Sequence, residues 1–190
     1  MKRRQALTAW AALAAGNWSA LPAGAQAQTM ADLSALLRTG GCVVMLRHAQ
    51  TEPGIGDPSN FRLDQCSTQR NLSADGQAQS RRIGQWFKDR KLQTRAVQAS
   101  AWCRCKDTAA MAFGAYTILP ALGSTFDNSA AQTSQTQTLR ALLNNVPLGQ
   151  FEVWVSHQVN ITSLTGEVPA MGEALVVDHR GKMLARTRFG

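Results

Sequence analysis

The chain has 190 residues, 44% of them hydrophobic and 17% charged, with a formal net charge of +8. That length suits one domain around a single sizeable core, and that composition excludes a chain disordered throughout. No lysine and arginine run is interleaved with aromatics, so nucleic-acid binding is not expected despite the positive balance.

Lys2, Arg3 and Arg4 open the chain, a small-residue apolar run follows from Ala6 to about Ala15, and the segment closes on AGAQA, Ala23 to Ala27. The alanines are spaced as a signal peptidase requires. Gly16, Pro22 and Gly24 would interrupt an ordinary amphipathic helix, and the apolar run is too short for a permanent bilayer span. Residues 1–27 are therefore expected to be a removable export signal ahead of one domain, 28–190. This places the mature protein in the periplasm or outside the cell, with no stable membrane span. The Arg3-Arg4 pair leaves both secretory and twin-arginine routes open. Losing three basic and no acidic residues lowers the formal charge from +8 to +5, a modest excess that suits anionic substrates or anionic envelope surfaces.

In the expected domain, the spacing predicts a helix over Ala31–Arg38 stopped by Gly40-Gly41, then a buried strand over Cys42–Leu46. The polar segment from Ala49 to Asn71 is long for a connection in a compact domain, which points to function or mobility. Ser73 caps a predicted helix reaching Lys91, with Ala78, Ile83, Trp86 and Phe87 on its apolar face. A short strand over Thr94–Ser100, a helix over Arg104–Phe113 and a strand ended by Pro120 follow. Residues 123–137 read as a polar surface loop, 138–146 as a helix, and Phe151–Ser156 as another apolar strand. The chain closes with a hairpin turning at Asp178–Gly181. Strands alternating with helices before a late hairpin indicate an α/β sandwich with a largely parallel sheet. In such sheets ligands bind at the carboxyl ends of the strands. Arg47-His48, Ser100 and Ser156-His157 all fall at strand ends, so they are expected on one rim.

Two histidines and two arginines on one rim suit phosphate chemistry. Arginine matches phosphate oxygens with fixed paired donors. A neutral imidazole can attack phosphorus, while a protonated second one stabilises the charge that builds on the oxygens. No metal or other cofactor is expected, because Cys103-Arg104-Cys105 has the wrong spacing for a zinc knuckle and no second ligand pair exists. Export permits a disulfide, and Cys66 with Cys103 is the favoured pair, though spacing alone does not fix it. Cys42 reads as a small core residue.

Four segments in order carry a family resemblance. LRHAQT resembles the Arg-His-Gly motif of the histidine phosphatase superfamily, which includes the phosphoglycerate-mutase-like enzymes. NLSADGQAQS, ASAWCRCKDTAAMAFG and WVSHQVNITSLTG resemble that family's helix start, second arginine segment and second histidine segment. The resemblance spans residues 42–178 and implies a three-layer α/β/α sandwich with a mostly parallel central sheet. It also implies a metal-independent phosphomonoester hydrolase. His48 would be the phosphorylated nucleophile, with Arg47, Arg104 and His157 around the phosphate and Thr51 near it. Ala49 stands where the motif has glycine, and Gln158 where one branch has its proton-donating acid. The other branch's donor region offers Asp127, and Glu52 and Glu173 are the further candidates for that role. The expected substrate is small and phosphorylated, with an envelope glycolipid such as a lipopolysaccharide core heptose phosphate suggested by the signal and the charge. Phosphohistidine hydrolysis and non-catalytic phosphate binding are the alternatives.

Other conspicuous residues have plainer readings. Trp86 and Trp154 fit core positions, Arg81 and Arg82 a solvated helix face, and His179 a solvated turn. Trp102 either packs near Arg104 or lines the pocket.

Overall fold

Val43, Val44, Met45 and Leu46 are completely buried in succession because their strand is covered on both faces. In the computed structural model, which describes residues 32–126 and 128–189, this strand is β1 (Cys42–Arg47), inside a six-stranded sheet. The other strands are β2 (Ala96–Ala99), β3 (Thr117–Ile118), β4 (Phe151–Ser156), β5 (Glu173–Asp178) and β6 (Met183–Arg188), in the order β3-β2-β4-β1-β5-β6. Strands β1 to β4 run parallel to one another, while β5 and β6 add the antiparallel hairpin. The expected export signal and Asp127 lie outside the described residues. No helix among the described residues is long and apolar enough to cross a membrane.

Alternation along β1 divides the core. Val44 and Leu46 face a layer made by α1 (32–39), α2 (Ala74–Asp89) and α3 (Cys103–Phe113), through Leu33, Leu37, Ile83, Phe87 and Ala109. Val43 and Met45 face α4 (Gln132–Leu143) and α5 (Gln158–Thr165), through Leu139, Leu143, Ile161 and Leu164. The result is the three-layer sandwich. Trp86 and Trp154 are buried in these two layers, and Arg81, Arg82 and His179 are exposed.

Two helices depart from the expectations. α4 begins at Gln132, inside the stretch read as a loop, because its first two turns are Gln, Ser and Thr with no apolar stripe. Packing of Leu139 and Leu143 holds it instead. α5 was not expected as a helix: QVNITSLT is rich in β-branched and polar residues of weak helix propensity. It forms because Ile161 and Leu164 dock on the sheet, and Gly166 at φ 81° ends it.

The start of α2 fixes the backbone after His48. Ser73 Oγ accepts the Gly76 amide as an N-cap, and a Cβ at Gly76 would collide with the Gln50 carbonyl. Gln79 accepts the Gln50 amide through Oε1 and donates to the Met171 carbonyl through Nε2. The backbone that follows the Arg-His pair is thus held by a helix end that only glycine lets approach.

Candidate active site

Arg47 ends β1 and His48 follows it; Ser156 ends the neighbouring β4 and His157 follows that. Arg47 and Ser156 are paired in register, and the His48 amide donates to the Ser156 carbonyl. The two imidazoles therefore sit side by side, with centroids 5.5 Å apart and planes at 65°. Both side chains are buried.

The two rings have different holders. His48 Nδ1 lies 2.8 Å from the Ala49 carbonyl oxygen, which can only accept, so Nδ1 carries the proton and Nε2 the free lone pair. Burial pushes its pKa down to about 3, opposed by that hydrogen bond and reinforced by Arg104, Arg47 and Arg70. The His48 imidazole is thus neutral at physiological pH, with its lone pair on Nε2. His157 Nε2 lies 2.9 Å from Ser100 Oγ, at the end of β2, and its Nδ1 lies 3.5 Å from Arg104 Nη2. Burial first, then the neighbouring His48 and three arginines, hold the His157 pKa well below its ordinary value.

Three arginines surround the rings, each anchored through the same atom. Arg47 Nη1 donates to the Pro169 carbonyl (2.9 Å) and to Gln158 Oε1 (3.3 Å). Arg70 Nη1 donates to Thr51 Oγ1 and to the Gly54 carbonyl, both at 2.9 Å. Arg104 Nη1 donates to Asp57 Oδ1 at 2.7 Å, in an ion pair whose two side chains are 4% exposed. In each case the Nε is buried without a protein partner. The three arginines, both histidines and Asp57 line one cavity of about 260 Å³. With neutral imidazoles, three guanidiniums against one carboxylate leave a charge of +2 at its floor. A phosphate monoester carries about −1.5 to −2 at pH 7, so the two match.

Sequence reasoning missed Arg70 and Asp57. Arg70 stands directly before the recognisable NLSADG segment, and Asp57 in the long polar segment, whose length was the available signal. Asp57 accepts from Arg104, from the Arg70 amide (3.0 Å) and from Trp102 Nε1 (3.1 Å). Burial pushes its carboxyl up, but the Arg104 hydrogen bond and charge, with the two other donors, bring it below the usual carboxylate range. It is therefore ionised and serves Arg104 rather than a leaving group. Trp102 holds Asp57 and stands edge-on to His157, and it is absent from the cavity lining.

The remaining expected residues divide. Arg47, His48, Arg104 and His157 are brought together, and Gln158 joins them through Arg47. Thr51 is buried behind the site and acts on it through Arg70. Neither glutamate lines the cavity. Glu52 is exposed, its amide donating to the Asn71 carbonyl. Glu173 does lie at the rim end of β5, but its carboxylate accepts the Ala170 amide and pairs with Arg186 and Arg188. Ala49 is buried, and the non-glycine residue with positive φ among those described is Lys91, so the backbone here does not need the motif's glycine. No group of three or more His, Cys, Asp or Glu among the described residues is arranged to hold a metal ion.

The disulfide joins Cys66 to Cys103, as favoured from the sequence. With Gln69 Oε1 accepting the Cys103 amide, it ties the segment carrying Arg70 to the first turn of α3, which carries Arg104. Cys42 and Cys105 remain buried thiols.

Residues 43–123 match the family model of the histidine phosphatase superfamily, branch 1. No curated protein matches the sequence. Among solved structures, the fold is similar to the protein histidine phosphatase SixA complexed with tungstate, at a TM-score of 0.51 and 19% identity, over 77% of this chain and 96% of that one. It is also similar to a protein assigned as phosphohistidine phosphatase SixA from Agrobacterium tumefaciens (TM-score 0.53, 20% identity, 77% and 97% covered). A protein of Thermus thermophilus, TTHB049, is a further match (TM-score 0.55, 16% identity, 77% and 99% covered).

Proposed function

We propose that this chain, whose residues 43–123 match the histidine phosphatase superfamily, hydrolyses phosphomonoesters through a phosphohistidine at His48. The superfamily match supports phosphatase activity, and one observation carries the mechanism: three arginines, each anchored through Nη1, line one cavity with a neutral imidazole. A phosphoryl group supplies several acceptor oxygens, which the arginines hold while His48 Nε2 attacks phosphorus. The phosphorus–oxygen ester bond breaks as the phosphorus–nitrogen bond forms, the leaving oxygen takes a proton from solvent water, and a water molecule then cleaves the phosphohistidine, releasing phosphate and returning His48 Nε2 its lone pair. His157 lines the same cavity, with Nδ1 3.5 Å from Arg104 Nη2. Burial first, then His48 and the arginines, depress its pKa; a bound dianion offsets the arginine charges, so this ring takes up a proton and stabilises the transferring group.

Turnover of p-nitrophenyl phosphate tests the reading, because its leaving group needs little protonation. The wild type is expected to turn it over well above His48→Ala, and equality of the two would end the enzyme reading. Phosphohistidine hydrolysis is the second reading, favoured by the two SixA structures among the fold neighbours. A lipopolysaccharide core heptose phosphate gains no such support.

A further inference from the structure

One wall of the cavity has no part in holding phosphate. The cavity lining also includes four apolar residues, Ile55, Phe126, Val159 and Met171, which form this wall. Ile55 is 91% exposed and Phe126 57% exposed, although large apolar side chains in a soluble domain are usually covered. They come from separate loops that meet at the mouth, since the Gly56 backbone packs beside the Phe126 ring. An exposed apolar patch continuous with a polar, charged floor is the form of a ligand site with two recognition modes.

From this we infer that the apolar wall is the leaving-group subsite, and that the substrate class is phosphate borne on a small ring, aromatic by preference. The inference rests on the reading of the arginine floor as the phosphoryl cradle. Four observations bear on it. The wall and the floor share one cavity, so whatever is attached to a phosphorus beside His48 lies against the wall. Phe126 offers an aromatic surface, and ring pairs gain beyond simple burial. The volume, about 260 Å³, lies just under the roughly 300–1,000 Å³ typical of sites for drug-sized ligands. A phosphoryl group with one ring fits that space, whereas a long oligosaccharide would lie mostly outside it. The lining beside these apolar residues offers few polar side chains to a sugar's hydroxyls: Ser124, and Gln158, which already accepts from Arg47.

Non-hydrolysable phosphonates test this without depending on turnover or on leaving-group basicity. Calorimetric titration of the wild type is expected to give about tenfold tighter binding of phenylphosphonate than of methylphosphonate, or about 1.4 kcal/mol. Phe126→Ala should bring the ratio to about twofold, and Ile55→Ala should reduce it less, both without loss of methylphosphonate affinity. Because both side chains are exposed, neither change threatens the fold. A ratio near one in the wild type, or a ratio that neither substitution moves, overturns the subsite. Failure of both phosphonates to bind would instead overturn the phosphoryl cradle, and the subsite with it. The ring could belong to a free aryl phosphate or to a phosphorylated aromatic side chain. Comparing kcat/KM for phenyl phosphate and a phosphotyrosyl peptide separates these sources, and a fall for the preferred one in Phe126→Ala supports the subsite.

Discussion

His48 and His157 leave adjacent parallel strands at the same level, yet different kinds of partner hold them. His48 Nδ1 rests on the carbonyl of Ala49, a group that every residue type at position 49 except one that moves the backbone would provide. His157 Nε2 rests on the hydroxyl of Ser100, which a single substitution removes. The tautomer of His48, the proposed nucleophile, is thus a property of the chain path, while the orientation of His157 depends on side chains: Ser100, with Cys105 Sγ at 3.5 Å, at Nε2, and Arg104 at Nδ1. A proposed covalent role demands the sturdier arrangement, because a nucleophile with its proton on the wrong nitrogen has no lone pair to use.

The sharpest way to break this comparison is to remove each ring. His48→Ala is expected to lower kcat for p-nitrophenyl phosphate by at least about 10⁴, since no covalent intermediate can form. His157→Ala removes one donor to the transferring oxygens and should cost roughly 10²–10³. Protein quenched in alkaline detergent, where a phosphorus–nitrogen bond survives, should carry a phosphoryl label in His157→Ala and none in His48→Ala. A label that survives in His48→Ala would reverse the assignment.

In stability the two rings should behave alike. Both folded-state pKa values lie below the unfolded value near 6.5, so the unfolded chain binds protons that the native site refuses. Their contribution is fully present above about pH 6.5 and is lost as pH falls toward the folded values. At pH 5 the shift at His48 should cost on the order of 2 kcal/mol relative to pH 7, and His157 adds a cost of the same sign. Urea midpoints across this range, in wild type and in His48→Gln, check it; identical pH slopes would show that His48 titrates normally in the fold.

Asp57 sharpens the contrast between charge and position. Asp57→Asn keeps an acceptor near Arg104 but removes the ion pair and raises the floor charge by one. Expected is a fall in kcat of roughly tenfold, as Arg104 loses its fixed orientation. Inhibition by inorganic phosphate should strengthen at the same time, because the floor is more positive. A variant with weaker phosphate inhibition and unchanged kcat would mean that Asp57 acts only on binding.

The rim with its two histidines was legible in the sequence because β1 and β4 are continuous apolar runs that end abruptly in Arg-His and Ser-His, and such ends have a fixed place in a parallel sheet. The first-turn position of Arg104 followed from its ordered motif. Arg70 and Asp57 were not legible, since both sit in a connection with no periodicity, and only three-dimensional closure brings Asp57 onto Arg104. The helices α4 and α5 escaped for a related reason. Their residues have weak helical preference, and the packing of Leu139, Leu143, Ile161 and Leu164 that stabilises them cannot be seen before the sheet exists.

Ser100 gives the smallest expected effect and the most direct test of the opening contrast. Ser100→Ala should leave the fold intact, since it removes one hydroxyl at the end of β2, and should lower kcat about fivefold by freeing His157 to rotate or change tautomer. Ser100→Thr keeps the hydroxyl and should recover most of that loss. A structural role alone would lower both variants through stability and leave the acid limb of the kcat–pH profile in place. A positioning role predicts that this limb shifts in Ser100→Ala and returns in Ser100→Thr, because the hydroxyl is the hydrogen-bond partner that holds His157 Nε2. No side-chain substitution can do the same to His48, whose partner is the backbone itself.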